Sequence, residues 1–156
     1  TLALRPLEQA HVAEILARKN ATLRADDLAI ISDISDGSPG RALQLAQSGG
    51  LELYRELMAL VEPLPTLYSE RLHAASDKFA GAAGEASYRT FLGILKWWLL
   101  RHIREGATSR GQGALDPWLA AWEKIDELVG RADSVNLDRK QVVLNTFFEL
   151  SAAARG

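Results

Sequence analysis

Cysteine is absent from the 156 residues of this sequence, and its absence excludes a disulfide framework, a cysteine-based zinc site and a cysteine nucleophile. Long hydrophobic runs are absent too. The longest run of bulky apolar side chains, Trp97–Leu100, is far shorter than the roughly 20 residues that span a bilayer, and no signal-peptide pattern opens the chain. We therefore expect a cytoplasmic globular protein that has no membrane partner.

A surplus of charge of either sign is also missing. Lys and Arg number 18, Asp and Glu number 20, and the formal net charge is −2. Domains that neutralise many phosphates carry a strong basic excess, overall or on one face. The balanced charge argues against extensive nucleic-acid binding, so we expect any DNA contact to be indirect or weak, and it leaves only a local basic patch open.

Methionine is almost absent, and this bears on the extent of the chain. Met58 is the single methionine, and the sequence begins with Thr1. We expect the chain to be a fragment of a longer protein whose remainder is encoded upstream of Thr1.

Sequence signatures of catalysis are missing as well. The chain has no GxSxG elbow, no phosphate loop, no GxGxxG and no HExxH pattern. None of the three histidines, His11, His73 and His102, has a second histidine four residues further on, so we expect no metal site. We predict that this chain is not an enzyme by itself and that it holds no cofactor.

Apolar residues recur at helical spacing along most of what is present. After a short strand-like alternation at the start, three short helices are expected within residues 6–48, over about 7–19, 26–34 and 39–48. Ser38 is a good N-cap, and Pro39 suits the first helical position. Two consecutive glycines, Gly49 and Gly50, lose the most conformational entropy when they are ordered, and they mark the predicted domain boundary.

Residues 50–156 are expected to form a second, larger domain of roughly five helices. Caps and breakers set the expected bounds: helices start at Ser69, at Asp116 with Pro117, and at Asn136 or Asp138. The predicted helices cover 51–62, 69–79 and 85–105, followed by a polar loop over 106–115 and the two helices after Asp116 and Asp138. The sequence thus predicts an all-α fold in two unequal domains, 1–48 and 50–156.

The stretch Gly37–Leu43 is the most informative one for ligand binding. A helix start presents free N–H groups and the positive end of the helix dipole, which favour an anion. Arg41 in the first turn opposes that dipole by roughly a few tenths of a kcal/mol, and a phosphate near Ser38 and Arg41 would remove the conflict. An ion pair of Arg41 with Asp33 or Asp36 explains the same residues without a ligand, and both interpretations stay open.

The helix over 85–105 is apolar around most of its circumference, which requires that protein surround it. It is either the central helix of its own bundle or a helix that also contacts another subunit, where Trp and Arg are enriched. In the second case the candidate interface residues are the bulky apolar and arginine side chains of this helix and the last one: Trp97, Trp98, Arg101, Arg104, Phe147 and Phe148.

Basic residues cluster near the same helix, where one acid, Glu105, faces Arg89, Lys96, Arg101, Arg104 and Arg110. This cluster allows an alternative function, a helical DNA-binding module that uses Arg101, Arg104 and Arg110. Bulky apolar residues alternate with these arginines, however, and that pattern favours a protein interface with arginines at its rim.

Several stretches of the chain resemble bacterial clamp-loader subunits of the delta-prime type, which belong to the AAA+ superfamily. The three main ones are Leu2–Leu7, Gly37–Leu43 and Ala132–Leu144, the last being the most specific. Gly50–Arg55 and Trp97–Leu99 are also similar. The resemblance covers the whole chain and corresponds to the C-terminal two thirds of such a subunit.

The resemblance implies a lid followed by a collar. Residues 1–48 look like the small three-helix lid that follows an AAA+ ATPase core, and residues 50–156 look like the helical collar through which five subunits form a ring. The implied partners are gamma/tau and delta subunits, in a hetero-pentamer that loads the sliding clamp for DNA polymerase III. The ATPase core would lie upstream, so the resemblance implies a non-catalytic assembly module.

One departure from the family pattern bears on nucleotide binding. Motor subunits of this family carry a sensor arginine two residues after the serine of a Gly-Ser-x-Arg-x-Ala-Leu stretch. Here that position is Gly40, and Arg41 follows one residue later, about 100° further around a helix. The departure disfavours the alternative that the chain belongs to an active gamma/tau-type motor ATPase, and it weakens the candidate nucleotide site at Ser38 and Arg41.

Overall fold

The computed structural model describes residues 24–109 and 112–156, and this part of the chain is all-helical with no strand in it, as the sequence predicted. Its helices are α1 (Ala25–Ile34), α2 (Pro39–Gln47), α3 (Gly50–Val61), α4 (Ser69–Asp77), α5 (Glu85–Ser109), α6 (Asp116–Val135) and α7 (Arg139–Arg155). Short 3₁₀ turns over Ala82–Gly84 and Gln112–Ala114 precede α5 and α6. The alternation at Leu2–Leu4, the helix expected over 7–19, His11 and Arg110 lie outside the described residues.

The chain divides into two compact units, Thr1–Arg55 and Glu56–Gly156. The division lies within α3, whereas the sequence predicted it at Gly49 and Gly50. Those glycines form the tight turn that leads from α2 into α3: Gly49 has a φ of +73°, and a Cβ on Gly50 would lie 2.8 Å from the Leu45 carbonyl oxygen. Glycine is therefore required at both positions by the local geometry: Gly49 for its positive φ and Gly50 for the close approach of its backbone to Leu45.

In the first unit, helices α1 and α2 pack against each other around Ile31, Ile34, Ala42 and Leu45, which are all buried. Asp27 in the first turn of α1 is 8% exposed and accepts a hydrogen bond of 2.7 Å from the Arg55 guanidinium. A buried carboxylate needs such a partner.

The predicted start of α2 is confirmed. The Ser38 hydroxyl accepts the backbone N–H of Arg41 at 3.3 Å, and Pro39 occupies the first helical position. Before this helix the chain turns sharply through Asp36 and Gly37, which have φ values of 54° and 79°. A glycine takes up the second of these at no steric cost.

In the second unit, aromatic side chains form the centre of the core. Phe79, Phe91 and Phe147 are fully buried, with ring centroids 5.0 Å apart for Phe79 and Phe91 and 6.4 Å apart for Phe91 and Phe147. These rings come from the turn just after α4, from α5 and from α7. Each buried aromatic ring contributes a large apolar area, so this contact holds the three helices together.

Helices α6 and α7 form an antiparallel hairpin, the most extensively packed pair of helices in the described part of the chain. Asn136 ends α6 in the left-handed conformation, with a φ of 52°, and Asp138 caps α7 by accepting the backbone N–H of Lys140 at 3.1 Å. Further along the hairpin, Lys124 of α6 lies 3.3 Å from Glu149 of α7. Of the two caps the sequence allowed, Asp138 is the one used.

Helix α5 is longer than predicted, because it continues to Ser109 instead of ending at Glu105. The hydroxyls of Thr108 and Ser109 donate to the Glu105 carbonyl at 2.9 and 3.0 Å. Gly106, which the sequence assigned to a loop, lies inside the helix, and a Cβ there would be 2.9 Å from a Leu115 methyl carbon. The missing side chain at Gly106 therefore makes room for Leu115.

Two predicted caps are helical residues instead. Ser69 and Asp116 are the first residues of α4 and α6, and the N-cap positions belong to Tyr68 and Leu115. Leu115 already has a helical backbone conformation, with φ −90° and ψ −25°, because the preceding 3₁₀ turn leads directly into α6. Its carbonyl accepts the Leu119 N–H at 2.9 Å.

Candidate protein-interaction surface

Phe147 and Phe148 are neighbours on α7 with opposite environments. Successive residues of an α-helix point about 100° apart, so the two rings face different directions. Phe147 is fully buried, whereas Phe148 is 56% exposed. Phe147 is therefore a core residue of its own unit, and Phe148 is the one of the two candidates whose ring is accessible to a partner.

Two surface grooves meet at Phe148. One, with a volume of about 620 Å³, runs between α7 and the segment that leads into α4, and Pro65, Leu67, Ala152 and Arg155 are among its lining residues. The Ser151 hydroxyl holds its two sides together by donating to the Pro65 carbonyl at 2.6 Å. Phe148 thus forms an apolar ridge beside a preformed depression of the size that commonly binds ligands.

The second groove, with a volume of about 290 Å³, lies between α6 and α7 on the other side of Phe148. Leu128 contributes an apolar floor, and the charged rim carries both signs: Lys124 and Arg131 against Glu127 and Glu149. Lys124 and Glu149 pair with each other at 3.3 Å. No ion pair between described residues includes Glu127 or Arg131.

Trp97 and Trp98 on α5 are both half-buried. The Trp98 ring stacks on His102 at 5.1 Å and meets the edge of Trp118 at 6.2 Å, and His102 in turn lies 4.3 Å from Trp118. Trp118 comes from the first turn of α6, so this aromatic cluster joins α5 to α6. Trp98 is therefore occupied within its own unit, a role that the apolar pattern did not distinguish from an interface.

The rest of α5 is mostly covered by its own unit. Phe91, Ile94, Leu95 and Leu99 are fully buried, and Leu100 is the large apolar side chain of this helix that is most exposed, at 38%. The sequence allowed α5 to be either the central helix of its own bundle or a helix that also contacts another subunit. For the buried faces of α5, the structure supports the central helix. On its outer face, Leu100 is the apolar residue most accessible to another molecule.

The basic residues of α5 are largely compensated by acids of the same unit. Arg89 pairs with Glu85 at 3.2 Å, Arg101 with Glu105 at 3.0 Å, and Lys96 reaches Asp126 of α6 at 3.1 Å.

The Arg101 guanidinium also lies 5.3 Å from the Trp97 ring centroid, where a cation–π contact is expected. Of the three arginines of the alternative DNA-binding module, Arg101 thus pairs with an acid, Arg104 is exposed, and Arg110 lies outside the described residues.

At the candidate nucleotide site, Ser38 and Arg41 are both exposed. Because the Ser38 hydroxyl already accepts the Arg41 N–H, one of the free donors that a phosphate would use is satisfied within the chain. The alternative explanation does not hold either, since no ion pair between described residues joins Arg41 to Asp33 or Asp36. The structure gives the Arg41 guanidinium no assigned role.

The stretch Ala132–Leu144, which carries the most specific resemblance, has mainly structural contacts. The Arg139 guanidinium donates to the carbonyls of Phe79 and Gly81 at 2.9 and 2.7 Å and lies 6.0 Å from the Tyr88 ring centroid. Lys140 pairs with Asp77. These contacts tie the start of α7 to the connection between α4 and α5, across about 60 residues of sequence, and no local pattern indicates them.

Tyr88 is the group in this region with a perturbed titration. It is 4% exposed, and no described residue forms a hydrogen bond with its hydroxyl. Burial raises the pKa of the Tyr88 hydroxyl above its usual value, and the carboxylate of Asp133 adds to the rise, while Arg139 and Arg89 oppose it.

Among residues 24–109 and 112–156, no group of three or more His, Asp or Glu side chains is placed to hold a metal ion. No helix in the same residues is long and apolar enough to cross a bilayer. In comparisons with known proteins, no family model, curated protein or solved structure matches this chain.

Proposed function

We propose that the chain is an assembly module of a bacterial clamp loader, the lid and collar portion of a delta-prime-type subunit. It acts in the cytoplasm by binding gamma/tau and delta subunits in a hetero-pentamer and performs no chemistry of its own. The observation that carries the proposal is the pairing of an all-helical unit, closed around its own core, with exposed apolar side chains on the outside of α5 and α7.

The organisation of the described residues supports this proposal. α1, α2 and the start of α3 suit the second part of a small helical lid, the remainder of which lies outside the description. Five helices, from the end of α3 to α7, contribute to the second unit, and this agrees with the number expected for a collar. The stretch Ala132–Leu144 builds the α6–α7 turn and anchors α7, a role that suits a structural family motif.

The surface of the second unit supports a protein partner. Phe148 at 56% exposure and Leu100 at 38% lie on the two helices that the sequence assigned to subunit contacts. Exposed aromatic and aliphatic side chains beside a groove are typical anchors of interfaces. Phe148 has roughly 110 Å² exposed, if its full area is about 200 Å², and burying that area would contribute about 2–3 kcal/mol at about 25 cal/mol per Å².

Co-sedimentation with sister subunits tests the proposal. The chain is mixed with gamma/tau and delta subunits of the same organism, and sedimentation velocity measures the assembly that forms. We expect the wild-type chain to sediment in a larger species. The Leu100→Asp variant should bind the sister subunits with an affinity lower by about tenfold or more. A wild-type chain that sediments alone at all concentrations contradicts the proposal.

A matched control separates binding from folding. Leu119 on α6 is 44% exposed, close to the exposure of Leu100, but it does not belong to the helices assigned to the contact. Leu119→Asp should assemble like the wild type. Circular dichroism of both variants verifies that the helices are intact, and equal loss of assembly in the two variants would show that the effect is not specific to α5.

A further inference from the structure

The α6–α7 hairpin carries most of the exposed apolar surface of the described residues. Six large apolar side chains are exposed among the described residues. Four of them belong to this hairpin: Leu119, Val135, Leu137 and Phe148. Phe148 alone lies between two grooves. A solvated phenylalanine beside a depression is the arrangement in which a side chain of one molecule can insert into another.

The groove between α6 and α7 is large enough for a phenyl ring. Its volume is about 290 Å³, whereas an apolar cavity of about 150 Å³ already holds benzene. Leu128 and Phe148 are the apolar residues of its lining, and its polar residues are Lys124, Glu127, Arg131, Asn145 and Glu149. The Phe148 ring and the groove that could accept such a ring therefore belong to the same face of the same chain.

The charged rim of this groove is complementary to itself. Glu127 and Arg131 lie one turn apart on α6 and both line the groove, and no ion pair between described residues involves either of them. A two-fold axis that is perpendicular to α6, passes outside this face and lies level with residue 129 would place Glu127 of one copy opposite Arg131 of the other, twice. The remaining rim pair, Lys124 and Glu149, is already neutralised at 3.3 Å, so two copies meet without net repulsion.

We propose that this face binds a second copy of the chain, in an isologous dimer with the two α6 helices antiparallel and each Phe148 ring in the groove of the other copy. Two ion pairs between Glu127 and Arg131 fix the register. One ring and one helical face per copy bury less area than a standard interface, so the dimer is weak and forms in the micromolar range. This inference goes beyond the proposed function and concerns the chain on its own.

Sedimentation equilibrium of the chain alone tests the dimer. From about 10 µM to about 1 mM the wild-type average mass should rise from that of a monomer towards twice that value. Phe148→Ser should weaken association at least tenfold, whereas Tyr68→Ser should leave it unchanged, because Tyr68 is similarly exposed, at 53%, but lines neither groove. A wild-type chain that stays monomeric up to about 1 mM overturns the proposal, even if it assembles with clamp-loader subunits.

Charge reversal tests the two-fold register. Glu127→Arg and Arg131→Glu each place like charges opposite each other across the axis, and each should weaken association at least about tenfold at low salt. The double variant restores opposite charges and should return to within about threefold of the wild type. If the double variant associates as weakly as the single ones, this dimer is wrong, and because both side chains are exposed the comparison does not depend on folding.

Discussion

Replacing Tyr88 by phenylalanine should stabilise the second unit, which is unusual for a change at a buried position. The ring is 4% exposed, and no described residue bonds its hydroxyl. An unsatisfied buried hydroxyl costs about 1–3 kcal/mol. Phenylalanine keeps the edge contact with Phe79, at 6.1 Å between ring centroids, and the position of Arg139 over the ring. We expect Tyr88→Phe to raise the free energy of unfolding by about 1 kcal/mol at pH 7.

The gain should grow at alkaline pH. Burial raises the pKa of the Tyr88 hydroxyl in the folded chain, so above pH 10 the unfolded chain loses a proton that the folded chain retains. Stability from this group is fully present below pH 10 and is lost as the pH rises towards the folded pKa, at up to about 1.4 kcal/mol per pH unit. The phenylalanine variant has no such loss, and every other titrating group is common to the two proteins.

Urea denaturation followed by circular dichroism measures the difference at several pH values between 7 and about 11. The variant should be more stable throughout, by a margin that is constant up to about pH 9 and widens above pH 10. A variant that is less stable by 1 kcal/mol or more at pH 7 would show that the hydroxyl has a partner, such as a bound water. A margin that does not change with pH would refute the perturbed titration.

Three further predictions concern stability. Phe147→Ala should lower the free energy of unfolding by about 3–5 kcal/mol because it opens a cavity at a fully buried site. Phe148→Ala, one residue along, should change it by no more than about 0.5 kcal/mol. Urea denaturation midpoints compare the two variants, and equal losses would contradict the assigned burial. Arg139→Ala should lower the free energy of unfolding by about 2 kcal/mol because two hydrogen bonds to carbonyls are lost. Arg89→Ala, on the exposed side of α5, should lower it by only about 0.3–0.5 kcal/mol. If Arg89→Ala is the more destabilising of the two, the anchoring role of Arg139 is refuted. Ser38→Ala should destabilise α2 by about 1 kcal/mol, visible as faster hydrogen exchange of its first-turn amides; unchanged exchange would mean that the cap contributes nothing.

The sequence predicted those elements whose signals are local. The cap at Ser38 and the proline after it fix the start of α2 with neighbouring residues alone, and Asp138 does the same for α7. The predicted ends of α1 and α3 lie within a residue of the observed ones. In each case the helix bounds depend on side chains within one turn of the boundary, which is why a reading of the sequence finds them.

The end of α5 shows where local signals fail. Glycine inside a helix costs about 1 kcal/mol relative to alanine, so Gly106 predicted a loop. The helix nevertheless continues for three more residues, because Leu115 packs where a side chain at Gly106 would lie. A contact with a residue nine positions further along outweighs the intrinsic preference of the glycine.

The candidate surface was predicted only in part. Apolar spacing placed both Phe147 and Phe148 at an interface, since the pattern of α7 is apolar on more than one face. Packing against α5 assigns Phe147 to the core, and the two grooves beside Phe148 depend on residues from α6, α7 and the segment before α4. No spacing along one helix contains that information.

Composition and periodicity by themselves determined that the chain is helical and without cysteine chemistry, and that it has arginines and tryptophans of the kind that suit contacts with protein. They did so because helix formation and capping are satisfied within a few residues. Only the tertiary structure decided which apolar and charged groups are left over for a partner. Arg139 donates hydrogen bonds to carbonyls about 60 residues away, Trp98 contacts Trp118, and Arg101 pairs with Glu105. Phe148, Glu127 and Arg131 stay on the surface. Exposure is a property of the packed molecule and not of the residue.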